Sequence, residues 1–379
     1  MLNRRRVLWA GIWAVVVLGV CVAGRAADRR PDVHFVPTPT EVVEAMLKAA
    51  NVGKDDVVYD LGCGDGRLII TAVKQYGARK GVGIDIDPAR IKDCLENVAK
   101  AGAADRVTFL QQDLYETDFS EATVVTLYLL PALNVRLRPA LFRQLRPGDR
   151  IVSHAFDMAE WKADQTITVP AQDWERTAYY WLLPAPVAGT WRWTIPGAKG
   201  EQAVELRLKQ RFQNASGAVK VDGKEQPASD VTLAGDRLSF SIPGAGQGEK
   251  AKMTFSGRVI GDTLRGTVET QGGPDAGKRD WAAKRDNVNL AGTWRWTQGD
   301  KTAAIDIRRY DGRFYATMPA GKGPVPVPQF YVWGAGVYFI IDGSPRQTFD
   351  GIADGDRIIG KTTGDGTDAQ DWTAQRTTE

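Results

Sequence analysis

The chain has 379 residues, 43% of them hydrophobic and 25% charged, which suits a globular protein with room for two or three domains. Its formal charge is +3, but residues 1–27 hold four arginines and no acid, so the remaining body is near neutral and lacks the basic face that nucleic-acid binding needs. Three cysteines, at Cys21, Cys63 and Cys94, are too few and too scattered for a disulfide framework.

Residues 1–27 begin with Arg4, Arg5 and Arg6, continue through an uncharged run from Val7 to Gly24, and end in small residues at Ala26 and Ala27. This is the anatomy of a secretory signal peptide, and the run is also just long enough for a membrane anchor. Arg25, Arg29 and Arg30 beyond it nearly balance the arginines before it, so the orientation stays open. Export, or membrane association through residues 7–24, is the expectation.

Next comes His34-Phe35-Val36-Pro37-Thr38-Pro39, held extended by its prolines. Thr40 is placed to cap a helix over 41–50, with Val42, Val43, Met46 and Leu47 as its buried stripe. Val57-Val58-Tyr59 reads as a buried strand and Leu68 to Val73 as the start of a helix. Between them lies Asp60-Leu61-Gly62-Cys63-Gly64-Asp65-Gly66-Arg67. The glycine spacing is G-x-G-x-G, unlike the G-x-G-x-x-G turn that seats a pyrophosphate. Acids flank it at Asp60 and Asp65, so a cationic ligand suits it better than an anion. A second strand, 81–84, ends at Asp85, where a carboxylate can accept from ribose hydroxyls. Asp87-Pro88 opens a helix. A third strand, 106–110, leads to Asp113.

The turn with Asp85 and Asp113 resembles the class I S-adenosylmethionine-dependent methyltransferases. The resemblance implies an α/β doubly wound, seven-stranded sheet over residues 32–185, with S-adenosyl-L-methionine as cofactor. It implies contacts from Asp60, Gly62, Gly64, Asp65, Gly66, Asp85 and Asp113, and from the extended stretch through Thr38. A strand over 124–130 carries Tyr128 to where the transferred methyl would emerge. His154 falls at the end of a fifth strand, 150–154. Tyr128 is either a holder of the acceptor or a core ring with a wet hydroxyl; His154 is either a general base or a structural histidine. Two last strands, 166–169 and 177–183, are expected as a hairpin. The stretches 35–39, 60–67, 113–114, 127–131 and 151–154 together resemble the small, often membrane-anchored protein-lysine methyltransferases. That implies a protein substrate with a lysine amine as acceptor.

Pro184 and Pro186 mark a boundary. After it, Ala188-Gly189-Thr190-Trp191-Arg192-Trp193-Thr194 recurs letter for letter at Ala291 to Thr297. Asp280-Trp281-Ala282-Ala283-Lys284-Arg285 is echoed by Asp371-Trp372-Thr373-Ala374-Gln375-Arg376. Residues 188–286 and 290–379 are therefore a duplicated all-β unit of about eight strands, a small barrel or sandwich resembling the calycins, whose first and last strands pair. The repeats contain no histidine or cysteine, so binding or partner recruitment is expected there, with the paired tryptophans as barrel plugs. An exported ligand-binding protein with an inactive first domain is the competing reading.

Overall fold

The computed structural model describes residues 30–377, apart from 172–173, 198–199, 244–250, 273–275, 299–300 and 365–367. The leader expected at residues 1–27 lies outside the described residues. Among them, no helix is long and apolar enough to cross a membrane.

The first unit is a sheet with helices on its faces. Its strands are β1 (Val57–Leu61), β2 (Lys80–Asp85), β3 (Val107–Gln111), β4 (Val124–Leu127), β5 (Arg150–His154), β6 (Gln165–Ala171) and β7 (Trp174–Leu182). Their order is β3-β2-β1-β4-β5-β7-β6. The first five run parallel; β7 enters antiparallel beside β5, and β6 pairs with it as the expected hairpin. All five residues of β1 are buried, which is why it reads as a continuous apolar run. The order reverses between β2-β1 and β4, and ligands in such sheets bind beyond the strand ends at that point.

The helices are α1 (Thr40–Ala49), α2 (Arg67–Lys74), α3 (Pro88–Ala101) and α4 (Pro131–Gln144). α1 buries Val42, Val43, Met46 and Leu47 as its periodicity requires. Its N-cap is Pro39 and Thr40 is its first helical residue, making no side-chain cap, because the extended proline already sets the entry geometry. α3 starts as read: Asp87 accepts from the Ala89 amide at 2.8 Å and Pro88 occupies the first turn. The fourth strand stops at Leu127, three residues short of its expected end, and Tyr128 to Leu130 form the loop into α4.

The repeats form two nine-stranded antiparallel sheets, one strand more per unit than expected. The first holds β8 (Gly189–Gly197), β9 (Gly200–Arg211), β10 (Asn214–Val221), β11 (Lys224–Pro227), β12 (Ser229–Ala234), β13 (Arg237–Pro243), β14 (Lys252–Ile260), β15 (Thr263–Gln271) and β16 (Gly277–Arg285). The second holds β17 (Gly292–Gln298), β18 (Lys301–Tyr310), β19 (Arg313–Ala320), β20 (Gly323–Pro326), β21 (Phe330–Trp333), β22 (Gly336–Ile341), β23 (Gln347–Asp354), β24 (Arg357–Gly364) and β25 (Gln370–Thr377). First and last strands pair in both, β8 with β16 and β17 with β25. The sheet ends fall instead at β11 and β12, and at β20 and β21. The Ala228 amide reaches the Gly217 carbonyl at 3.1 Å, and Val327 reaches Ala316 at 2.9 Å, curling each sheet back on itself. Proline in β11 and β20 suits strands that need not donate along their outer edge.

The letter-for-letter motifs have one physical reason. The first tryptophan of each Trp-x-Trp donates its indole N–H four residues back, Trp191 to the Val187 carbonyl at 2.8 Å and Trp294 to Leu290 at 2.9 Å. The arginine closing each repeat lies over that indole, Arg285 at 5.1 Å from Trp191 and Arg376 at 4.3 Å from Trp294. The second tryptophan packs inside with two stacked phenylalanines and the late tryptophan: Trp193, Phe240, Phe255 and Trp281 in one unit, Trp296, Phe339, Phe349 and Trp372 in the other. Of each tryptophan pair expected as a plug, only the second joins such a four-ring cluster, while the first lies under the closing arginine.

The Pro184–Ala188 boundary is not an exposed linker: Ala185, Val187 and Ala188 are buried. The Ala335 amide donates to the Ala188 carbonyl at 3.0 Å. One apolar cluster runs from the back of the first unit into the second repeat, through Phe142, Trp161, Phe212, Tyr331 and Trp333. At its centre Arg138 is fully buried, donating to the Met158 carbonyl, Glu160 and Gln329. Gln329 in turn donates to the Val135 carbonyl on α4. Truncating one member of such a network is costly because the rest is left desolvated.

Candidate active site

A cavity of about 280 Å³ opens beyond the ends of β1, β2, β3 and β4. The strand ends bring Asp60, Asp85 and Asp113 to its wall, with Gly62, Gly64, Asp65, Thr38 and Tyr128. Eight of the ten residues singled out from the sequence thus converge there. Gly66 and His154 do not line it.

Asp60 is buried, with only 6% of its surface exposed, and accepts a hydrogen bond from the Thr126 hydroxyl at 2.9 Å. Burial pushes its carboxyl up to about 7, and repulsion from Asp85 and Asp65 adds to the shift. A cation beside it would reverse that cost. Asp85 accepts from the Gly64 amide at 2.9 Å and from the Asp87 amide at 3.0 Å, so it braces the glycine loop as well as facing the cavity. Burial raises its carboxyl too, against those two bonds. Asp113 accepts from the Tyr115 amide at 2.9 Å and lines the same wall.

Asp65 differs from the bare acid that the sequence suggests. It forms an ion pair with Arg67 at 2.6 Å, and although burial pushes its carboxyl up, that partner brings it below the usual range. Arg67 also donates to the Thr38 carbonyl at 2.9 Å, hooking the 31–38 strap onto the loop. Phe35 lies on the loop: a Cβ at Gly64 would stand 2.2 Å from its ring, and Gly64 has φ +56°. Arg90 covers the other side of Phe35 at 4.9 Å. Gly66 caps α2 in the left-handed region, turned towards Phe109 and Cys94. Behind the loop the free thiols of Cys63 and Cys94 lie 3.8 Å apart, and Cys94 donates to the Gly64 carbonyl at 3.1 Å.

The far end of the cavity is apolar, lined by Tyr128, Leu129, Leu130, Leu133 and Phe156. Tyr128 packs against His154, ring centres 3.9 Å apart and planes tilted by 36°. His154 is 2% exposed, and its Nδ1 shares a hydrogen bond with the Thr38 hydroxyl at 3.2 Å. Its Nε2 has no partner among the described residues. Burial, then Arg176, brings its pKa down to about 4, so it is neutral at physiological pH and supports Tyr128 from below. Asn134, at the start of α4, donates to Ser153 and to the Phe156 and Asp157 carbonyls, each at 3.2 Å, fixing the loop that carries Phe156. Phe35, Arg67, Asn134 and Phe156 escaped the sequence reading as site residues. Arg67 was the most accessible of them, being adjacent to the last glycine. Among the described residues no cluster suited to a metal ion occurs.

This chamber fits a cationic sulfur nucleoside: bare backbone at the loop, desolvated carboxylates at Asp60 and Asp85 with Asp113 on the same wall, and an apolar exit. Fold and site together define a class I S-adenosylmethionine-dependent methyltransferase. A family model described as the ANTKMT methyltransferase domain matches residues 60–165. A protein-lysine N-methyltransferase of Saccharolobus islandicus is 44% identical over 153 residues, 40% of this chain and 95% of that relative. The chain belongs to that family of methyltransferases. The adenine nucleotide translocase lysine N-methyltransferase of Mus musculus is 27% identical over 169 residues, 45% of this chain and 70% of that relative. A solved structure described as an RNA methyltransferase of Salinibacter ruber in complex with S-adenosyl-L-homocysteine is 53% identical, covering 39% of this chain and 93% of that one, with a TM-score of 0.37.

When bound, S-adenosylmethionine supplies an activated methyl on a positively charged sulfur. Asp60, Asp85 and Asp113 are the groups that would hold its polar atoms. The strap fastened by Arg67 and Phe35 covers the loop. Tyr128, Leu130 and Phe156 line the acceptor end with apolar surface. Orientation at near-attack distance is worth about 7–11 kcal/mol, so no acid–base dyad is required.

Proposed function

We propose that the acceptor is the ε-amine of a protein lysine. The observation that carries this is the apolar exit: Tyr128, Leu129, Leu130, Leu133 and Phe156 present rings and aliphatic carbon, with His154 packed beneath them. A lysine reaches such a slot with its stem against apolar surface. Desolvation there lowers its pKa, which delivers the neutral amine that attack requires. The 44% identity to an archaeal protein-lysine methyltransferase supports the same acceptor.

The rim supports a macromolecular and apolar partner. Phe35, Val36 and Leu130 are 41%, 57% and 47% exposed beside the opening. The uncharged run at residues 7–24 would tether this rim near a membrane, so a lysine at a membrane surface is the acceptor class proposed. The β repeats are proposed to present the substrate. The test is transfer of labelled methyl from S-adenosylmethionine to proteins of a membrane extract, followed by acid hydrolysis. Label in methyllysine is expected. Label in RNA alone, or in no fraction while cofactor binding is intact, contradicts the proposal.

A further inference from the structure

A second cleft, of about 370 Å³, lies where the three units meet. α4 contributes Arg143, the hairpin between β18 and β19 contributes Arg309 and Arg313, and the end of the first repeat contributes Arg285. Two aspartates face these four arginines, and both are already engaged. Asp262 pairs with Arg285 at 2.6 Å, and Asp286 with Arg192 at 3.0 Å. Among the described residues no carboxylate lies within ion-pair distance of Arg143, Arg309 or Arg313; Asp118 feels the field of Arg313 only from a distance. Arg143 is half-buried in this state. Burial lowers its pKa, against the opposing influence of Tyr315 and Tyr331, and Arg313 adds a smaller repulsion. A guanidinium does not escape by deprotonating, so the cleft carries uncompensated positive charge. Aromatic faces hold two of the three: Arg143 lies 5.5 Å from the centre of Tyr315, and Arg309 lies 5.5 Å from that of Phe314. The Arg309 Nε–H donates to the Gly312 carbonyl at 3.4 Å, and a guanidinium stacked on a ring in this way can still offer its terminal N–H groups to an oxyanion.

We infer that this junction is a binding site for a small anion carrying two or more charges on clustered oxygens, a phosphate-type or polycarboxylate ligand. Binding sites favour unit boundaries, and a ligand here contacts α4 and both repeats at once. The site is separate from the cofactor cavity and shares no lining residue with it.

The test is calorimetric titration of the full chain with inorganic pyrophosphate and, separately, with citrate, at ionic strength fixed with potassium chloride. Saturable submillimolar binding of at least one probe is expected. It should weaken tenfold or more in Arg313→Gln and in Arg143→Gln, and stay unchanged in Arg258→Gln, whose partner is Asp236 on the first repeat. The stronger of the two probes identifies the chemical source. Arg313 is a partly exposed hairpin residue, so its variant decides the question even if Arg143→Gln fails to fold. No saturable heat with either probe, or unchanged affinity in Arg313→Gln, overturns the inference.

Discussion

The glycine loop and the β repeats handle charge in opposite ways. In the loop, carboxylates are brought together and partly desolvated, so that Asp60 and Asp85 are raised from their ordinary values. In the repeats, acids sit at the surface opposite arginines, as in Asp236 with Arg258 and Asp356 with Arg376, while the interior is closed by aromatic rings. The first arrangement costs stability and waits for a ligand. The second, outside the arginine cleft at the junction, is satisfied without one. Strain and unpaired charge therefore locate chemistry here better than cavity size does, since the mouth of the first repeat encloses more space than the cofactor chamber.

The contrast can be broken from either side. The largest expected effect is Trp372→Ala, which empties the second plug and should cost about 3–5 kcal/mol, read by thermal unfolding. Cofactor affinity at 20 °C should stay within about twofold as long as the variant is folded, because distant sites are nearly independent. Next comes Asp60→Ala. Removing the buried carboxylate should weaken S-adenosylmethionine binding about 100-fold, at about 1.5–3 kcal/mol for a charged hydrogen bond, while raising the melting temperature of the free protein or leaving it unchanged. A fall in that temperature matching the affinity loss would make Asp60 a structural acid.

Gly64→Ala is expected to be milder. The new methyl meets Phe35 and the backbone sits at φ +56°, which together should cost about 1–3 kcal/mol. The double variant Gly64→Ala/Phe35→Ala should recover part of it, measured as cofactor affinity. Smallest is Tyr128→Phe. With the ring and its contact with His154 kept, kcat should fall less than about tenfold, and KM for the acceptor should move more than KM for the cofactor.

Much of this was legible because local sequence carries it. Asp60, Asp85 and Asp113 each end a short apolar strand, so their convergence follows from parallel pairing alone. The duplicated tryptophan and arginine motifs announced the repeats and, through their four-ring plugs, the interior. What was hidden depends on long-range contact. Asp65 looked like a second bare acid until Arg67 was seen to neutralise it. His154 stood at a strand end as either a base or a structural histidine, and the sequence could not show that Thr38 and Tyr128 pack against it. Pro184 and Pro186 marked a boundary, and nothing in the sequence showed that the apolar cluster around Arg138 crosses it. No spacing in the chain connects residue 138 with residue 329.

The most direct test is the proton balance of cofactor binding. In the free protein Asp60 titrates near 7, above its ordinary value, so its contribution favours the fold at low pH and is lost as pH rises through about 7. A cationic ligand reverses the sign by stabilising the ionised form. Calorimetry in buffers of different ionisation enthalpy should therefore show S-adenosylmethionine binding with release of close to one proton at pH 6 and almost none at pH 8.5, so affinity should fall by up to about tenfold for each pH unit that the solution is taken below 7 and level off above it. Asp60→Asn should abolish the release. Binding of equal strength at both pH values, with no proton released in the unaltered chain, would contradict the account.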